Sequence, residues 1–138
     1  MKSIFALLAI VFQGWALDLS PIGTPQGGSC TVMDRTYYVI CYQPEWRIPE
    51  WVAEHVTREQ LLAPAVPRKD AFRPDPDVPA GRAELLDYQG SGYDRGHQAP
   101  AGDFRYSIEA MRATFLLSNM APQRPEMVFT PSSGHTKS

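Results

Sequence analysis

Prolines at positions 64, 67, 74, 76 and 79 constrain the fold more than any other feature of this chain. Proline fixes φ near −65° and carries no amide hydrogen, so this spacing excludes a helix or a paired central strand from the middle of the sequence. The segment from Ala63 to Gly81 therefore reads as a loop between a β-rich part upstream and a mixed part downstream. A linker between two units is the other reading of such a composition. Length weighs against it, because 138 residues suffice for one small domain and not for two well-buried ones.

Upstream, Thr36-Tyr37-Tyr38-Val39-Ile40-Cys41-Tyr42 is rich in β-branched and aromatic residues and predicts a strand, its tyrosines packing a sheet face rather than stacking bases. Pro49 to Val56 fits either a helix opened by Pro49 or a strand with Trp51, Ala53 and His55 on one face. Pro21 to Ser29 has no apolar periodicity and reads as an extended lead-in. Downstream, Ala83 to Tyr88 predicts one short turn of helix. Ser107 has the chemistry of an N-cap, with Ile108, Met111 and Phe115 at helical spacing behind it.

The N-terminus has the form of an export signal. Lys2 precedes an apolar run from Ile4 to Phe12, and Gly14-Trp15-Ala16 offers small residues around a larger one, so cleavage is expected after Ala16. The run is too short to span a bilayer comfortably, and no membrane anchor is expected once the signal is removed. An exported chain, extracellular or periplasmic, meets oxidising conditions, in which Cys30 and Cys41 would form one disulfide. A structural zinc site is a poor alternative, since there is no Cys-x-x-Cys knuckle and the histidines are distant.

One stretch concentrates chemistry: Gly92-Tyr93-Asp94-Arg95-Gly96-His97-Gln98-Ala99-Pro100-Ala101-Gly102-Asp103. A histidine with an ordinary pKa near 6.5 can take a proton at neutral pH, and an arginine two residues earlier offers a planar, permanent cation for phosphate oxygens. Gly96 between them lets the backbone bend or approach another group closely. A surface-loop histidine is the ordinary alternative for such a pattern. The 13 basic and 15 acidic residues give a net charge of −2, which neither supports nor excludes a polyanionic substrate, because only a cleft needs positive potential.

This stretch, followed by Asn119 in Leu-Ser-Asn-Met-Ala-Pro-Gln and preceded by Asp87-Tyr88 and Phe72-Arg73-Pro74-Asp75-Pro76, closely resembles the DNA/RNA non-specific endonucleases of the ββα-metal class. The resemblance implies an α+β fold, the His-Me finger nuclease architecture, with a mixed or antiparallel sheet and short helices. It favours a strand over Pro49 to Val56, with His55 outside the chemistry, and a strand from Thr114 to Met120. It implies hydrolysis of DNA and RNA phosphodiesters with low sequence preference. His97 would be the general base and Arg95 the stabiliser of phosphate charge. Arg68 or Arg73 from the proline loop, and Asn119, would contact substrate. The implied cofactor is Mg²⁺, with Mn²⁺ as the alternative.

The chain departs from the pattern after Met127. Val128 stands where the family places its metal-binding Asn, and residues 128–138 form a polar tail without an amphipathic helix. The expected organisation is thus a signal over 1–16, a lead-in and first strand over 17–48, a partial nuclease domain over 49–127 and a divergent tail over 128–138. No metal ligand is assigned, the C-terminal half of the fold is expected to be missing, and activity is expected to be impaired, as in a truncated product. The alternatives are a catalytically silent, secreted nucleic-acid-binding fragment, or replacement of the lost ligand by His135. Nothing in the sequence specifies an oligomer.

Overall fold

The computed structural model describes Gly23, Pro25 and residues 28–125. The expected signal, Val128, His135 and the missing helix all lie outside the described residues.

Three antiparallel strands in sequential order, β1 (Thr31–Asp34), β2 (Tyr38–Gln43) and β3 (Ile48–Glu54), form the upstream sheet. The central strand β2 is buried on both faces. Strand alternation sends Tyr38, Ile40 and Tyr42 to one face, where they pack with Val78, Ala99, Phe104 and Ala110. Burying a side chain the size of Phe104 contributes roughly 2–3 kcal/mol. On the other face Cys41 is bonded to Cys30, with 5.3 Å between Cα atoms, so the expected disulfide ties the lead-in to the sheet.

The strand expected from Thr36 begins at Tyr38, because Thr36 has φ of 73° and belongs to the turn after β1. Pro49 to Val56 is the expected strand, shifted to Ile48–Glu54, and His55 is exposed. The short helix α1 (Arg58–Leu62) was not expected. Its signal is a capping box, in which Thr57 Oγ accepts from the Gln60 amide and Gln60 Oε1 accepts from the Thr57 amide.

The proline-rich segment is no linker. Buried Asp75 accepts from Arg35 at 2.8 Å, Ser118 at 2.5 Å and the Asp77 amide at 3.0 Å. The Tyr42 hydroxyl donates to the Gly81 carbonyl at 3.1 Å and accepts from the Ala83 amide at 3.0 Å. Arg73 pairs as an isolated parallel bridge with Leu116. Prolines keep the segment out of regular structure, and these bonds fix it against the sheet.

Helix α2 (Leu85–Tyr88) fits the expected turn of helix. Helix α3 (Ile108–Ala113) starts at Ser107, whose hydroxyl accepts from the Ala110 amide at 3.2 Å. Its buried face is Ala110 and Met111; Ile108 is exposed, contrary to the periodicity, and Phe115 lies beyond the helix end. The strand expected over Thr114 to Met120 is also corrected. Leu117–Asn119 form a 3₁₀ turn, and strand β5 is Met120–Gln123, antiparallel to β4 (Asp94–His97).

Candidate active site

Strand β4 carries the chemistry. Register with β5 pairs Arg95 with Pro122, Gly96 with Ala121 and His97 with Met120. Alternation puts Arg95 and His97 on one face and Gly96 on the other. A Cβ at position 96 would lie 2.7 Å from Gln123 Oε1 and 3.1 Å from the Ala121 carbonyl. The glycine therefore serves the close approach of β5, not an approach to substrate.

Phe72 and Phe115 hold the histidine. The His97 ring meets Phe115 edge-on at 4.8 Å between centroids, and Phe72 at 5.7 Å; the two phenyl rings are themselves 4.9 Å apart. Burial among these rings, reinforced by the nearby Arg68 cation, lowers the imidazole pKa to about 4, with Asp70 opposing. The ring is consequently neutral at physiological pH. Its Nε2 is buried and makes no hydrogen bond, which leaves a basic nitrogen unspent.

Two arginines flank this aromatic box. Arg95 lies over the Phe72 ring at 4.1 Å, and Arg68 lies over Phe115 at 5.3 Å, each a cation–π contact. Asp70 holds Arg68 at 2.9 Å. Arg68 and Arg95 line one open cleft of about 590 Å³, together with Asp70, Phe72, Tyr88 and Asp94. Two guanidinium groups thus line this cleft, while His97, two residues along β4 from Arg95, lines a separate opening with Tyr93, Gly96, Gln123 and Arg124. That set can grip a phosphate diester and accept a proton beside it.

Arg73 and Asn119 are not in this cleft. Arg73 donates to the carbonyls of Ala71 at 3.2 Å and Arg112 at 2.8 Å, closing the C-terminal end of α3. Asn119 is completely buried: Oδ1 accepts from the Ala99 amide at 2.8 Å, while Nδ2 donates to the carbonyls of Ala99 at 3.0 Å and Thr114 at 2.9 Å. The amide has no free donor or acceptor directed at solvent, so it positions the chain after His97 instead of contacting substrate. Asp103 is also away from the cleft and lies beside Glu54.

Among the described residues no three His, Cys, Asp or Glu side chains converge to hold a metal ion. A Mg²⁺ ion needs fewer protein ligands than that, because water and phosphate oxygens complete its shell, and the position where the family places its Asn ligand, Val128, lies outside the described residues. Sequence reasoning missed Phe72 and Phe115 as partners of His97. Phe115 has helical spacing behind Ser107, and nothing local in the sequence places it against His97.

Residues 16–127 match the family model for DNA/RNA non-specific endonuclease. A nuclease of Syncephalastrum racemosum is 49% identical over 109 residues, 77% of this chain and 34% of the relative. Human mitochondrial endonuclease G is 43% identical over 111 residues, 80% of this chain and 37% of the relative. A chain in the crystal structure of an EndoG/EndoGI complex superimposes with a TM-score of 0.66 at 43% identity, over 73% of this chain and 42% of that one. The chain thus spans about a third of the length of these curated relatives. Its α+β fold is that of the ββα-metal nucleases. With the motif around His97, the family match and the shared fold in agreement, the chain belongs to the DNA/RNA non-specific endonuclease family.

Proposed function

We propose that the cleft binds the sugar-phosphate backbone of DNA and RNA and hydrolyses it, with His97 as general base. The observation that carries this reading is the unpartnered Nε2 of a neutral histidine, on the same strand face as Arg95 and near enough to Arg68 to feel its charge, with Phe115 in contact with both. In this mechanism Nε2, buried in the free chain, is reached by one water as substrate docks and takes its proton; the hydroxide attacks phosphorus in line, the P–O bond breaks and the leaving oxygen takes a proton from solvent. Arg95 and Arg68 neutralise the charge that grows on the non-bridging oxygens. Contacts to phosphate and sugar carry little base information, which accounts for action on both nucleic acids.

The test is incubation of the purified chain with plasmid DNA and with RNA in Mg²⁺, beside a chelator control and His97→Ala. Cleavage abolished by both controls supports the reading and its Mg²⁺ requirement. A second reading is retention of nucleic acid without cleavage, favoured by Val128 standing where the family places its metal-binding Asn. Metal-independent binding with no product from folded chain would select it.

We further propose export. The Cys30–Cys41 disulfide supports an oxidising compartment. A product secreted from expressing cells should begin at Leu17, and retention in mitochondria would overturn the proposal.

A further inference from the structure

A second cleft, of about 880 Å³, opens beside the arginine-lined one, and the two share Tyr88 and Tyr93 in their walls. Tyr93 immediately precedes β4 and is 45% exposed. Across the second cleft stands Trp46, 61% exposed, on the turn between β2 and β3. An indole displayed to that degree leaves most of its apolar surface uncovered by this fold.

The turn that presents it is built with care for its shape. Arg47, a non-glycine residue, has φ of 59°, in the left-handed region that ordinarily favours glycine. Its amide donates to the Gln43 carbonyl at 2.8 Å, and its guanidinium reaches both carboxylate oxygens of Asp87 at 2.8 and 3.0 Å. Those bonds span from the β-turn to α2, so the aromatic wall is anchored to the element that also borders the phosphate cleft. The Arg47 charge is matched by Asp87, and the second cleft is more apolar than polar, with Trp46, Tyr88 and Tyr93 among its lining residues.

We propose that Trp46 and Tyr93 form a stacking platform for the unpaired bases of a nucleic-acid strand whose backbone lies on Arg95 and Arg68. The inference rests on the nuclease reading of the adjoining cleft. Continuity selects this occupant: a chain leaving the arginines over Tyr93 passes from a surface that fits phosphate to one that fits flat apolar rings. Every base has a π-face, so stacking here adds affinity without sequence preference, and it favours strands whose bases can unstack over those still paired.

The test uses the full chain carrying His97→Ala, so that binding is measured without turnover. Fluorescence anisotropy would follow a labelled single-stranded oligonucleotide and the same backbone with abasic sites, each with added Trp46→Ala, Tyr93→Ala, Arg95→Ala or Leu61→Ala. Leu61, exposed on α1, serves as the surface control. Thermal melts verify folding, and Trp46→Phe, which keeps an aromatic ring, should retain part of the affinity. The expected result is a loss of about tenfold for Trp46→Ala and for Tyr93→Ala on the normal strand, and little further loss on the abasic strand. Equal losses on both strands, or none from Trp46→Ala while Arg95→Ala still weakens binding, would overturn the platform and leave the phosphate cleft standing. Binding indifferent to Arg95→Ala as well would overturn the nuclease reading itself.

Discussion

Replacing Asn119 by alanine should damage the fold first and the chemistry only through it. The side chain makes three hydrogen bonds, one accepted from the Ala99 amide and two donated to the Ala99 and Thr114 carbonyls, all in a site without solvent. Each buried bond contributes about 1 kcal/mol net, and the orphaned amide and carbonyls add a desolvation cost, so a loss of about 3–5 kcal/mol is expected. In a domain of this size each kcal/mol moves the melting midpoint by about 3–5 °C, giving a fall of roughly 10–25 °C. Urea unfolding followed by circular dichroism measures the loss directly, and hydrogen exchange should show the Ala99 amide losing protection. Asn119→Asp should be no better, because it sets a carboxylate oxygen against two carbonyl oxygens where Nδ2 donated. A variant whose stability stays within about 0.5 kcal/mol of the parent, but whose nucleic-acid affinity collapses, would refute the reasoning. It would return Asn119 to the substrate-contact role that the family resemblance implied.

The low pKa of His97 predicts that activity keeps its base down to an acidic limb near pH 4, and a limb near 6.5 in kcat/KM would contradict the aromatic box as its cause. The same residue makes the unfolded chain bind the extra proton between pH 4 and 6.5, so its contribution to stability falls as pH drops through that window, by about 1–2 kcal/mol after screening at a half-buried ring. Glu54 has the opposite sign: burial and Asp103 push its carboxyl up to about 7, so its contribution falls as pH rises from 4.5 to 7, and Glu54→Gln should be more stable than the parent at pH 8 and indistinguishable at pH 4. Removing the Arg68 cation with Arg68→Ala should cut kcat/KM by about 100-fold and shift the acidic limb upward, whereas a limb that moves down would refute the assignment. Reducing Cys30–Cys41, or replacing both cysteines by serine, should lower stability by about 3 kcal/mol in denaturant melts, since the bond closes a short loop across the sheet.

Strand β2 was readable because its own side chains require a sheet: Tyr38, Ile40 and Tyr42 share a face and find no helical period. Ser107 announced α3 by the same local logic, since an N-cap needs only its neighbours. The misread elements were those whose reasons are distant in sequence. Asn119 has the composition of a ligand, and only the approach of Ala99 and Thr114 makes it a brace. Arg73 and Arg68 are five residues apart on one irregular loop, and nothing local says that one caps α3 while the other faces the cleft.

His97 combines both kinds of information. Its identity as a candidate base came from the arginine and glycine around it, but a pattern of residues says nothing about protonation. That follows from packing: the 3₁₀ turn after Phe115 and the bridge between Arg73 and Leu116 bring Phe115 edge-on and Phe72 at a tilt against the imidazole. The two phenyl rings touch each other as well as the imidazole, so they crowd it from one side instead of sandwiching it, and they do two jobs at once. They desolvate the histidine so that it stays neutral, and they offer their other faces to Arg68 and Arg95, seating the cations beside the base without an ion pair to it. Substituting Phe72 by leucine should therefore disturb both functions together, raising the His97 pKa toward 6.5 while loosening Arg95. A variant that loses only one of them would show that the aromatic box is not the common support.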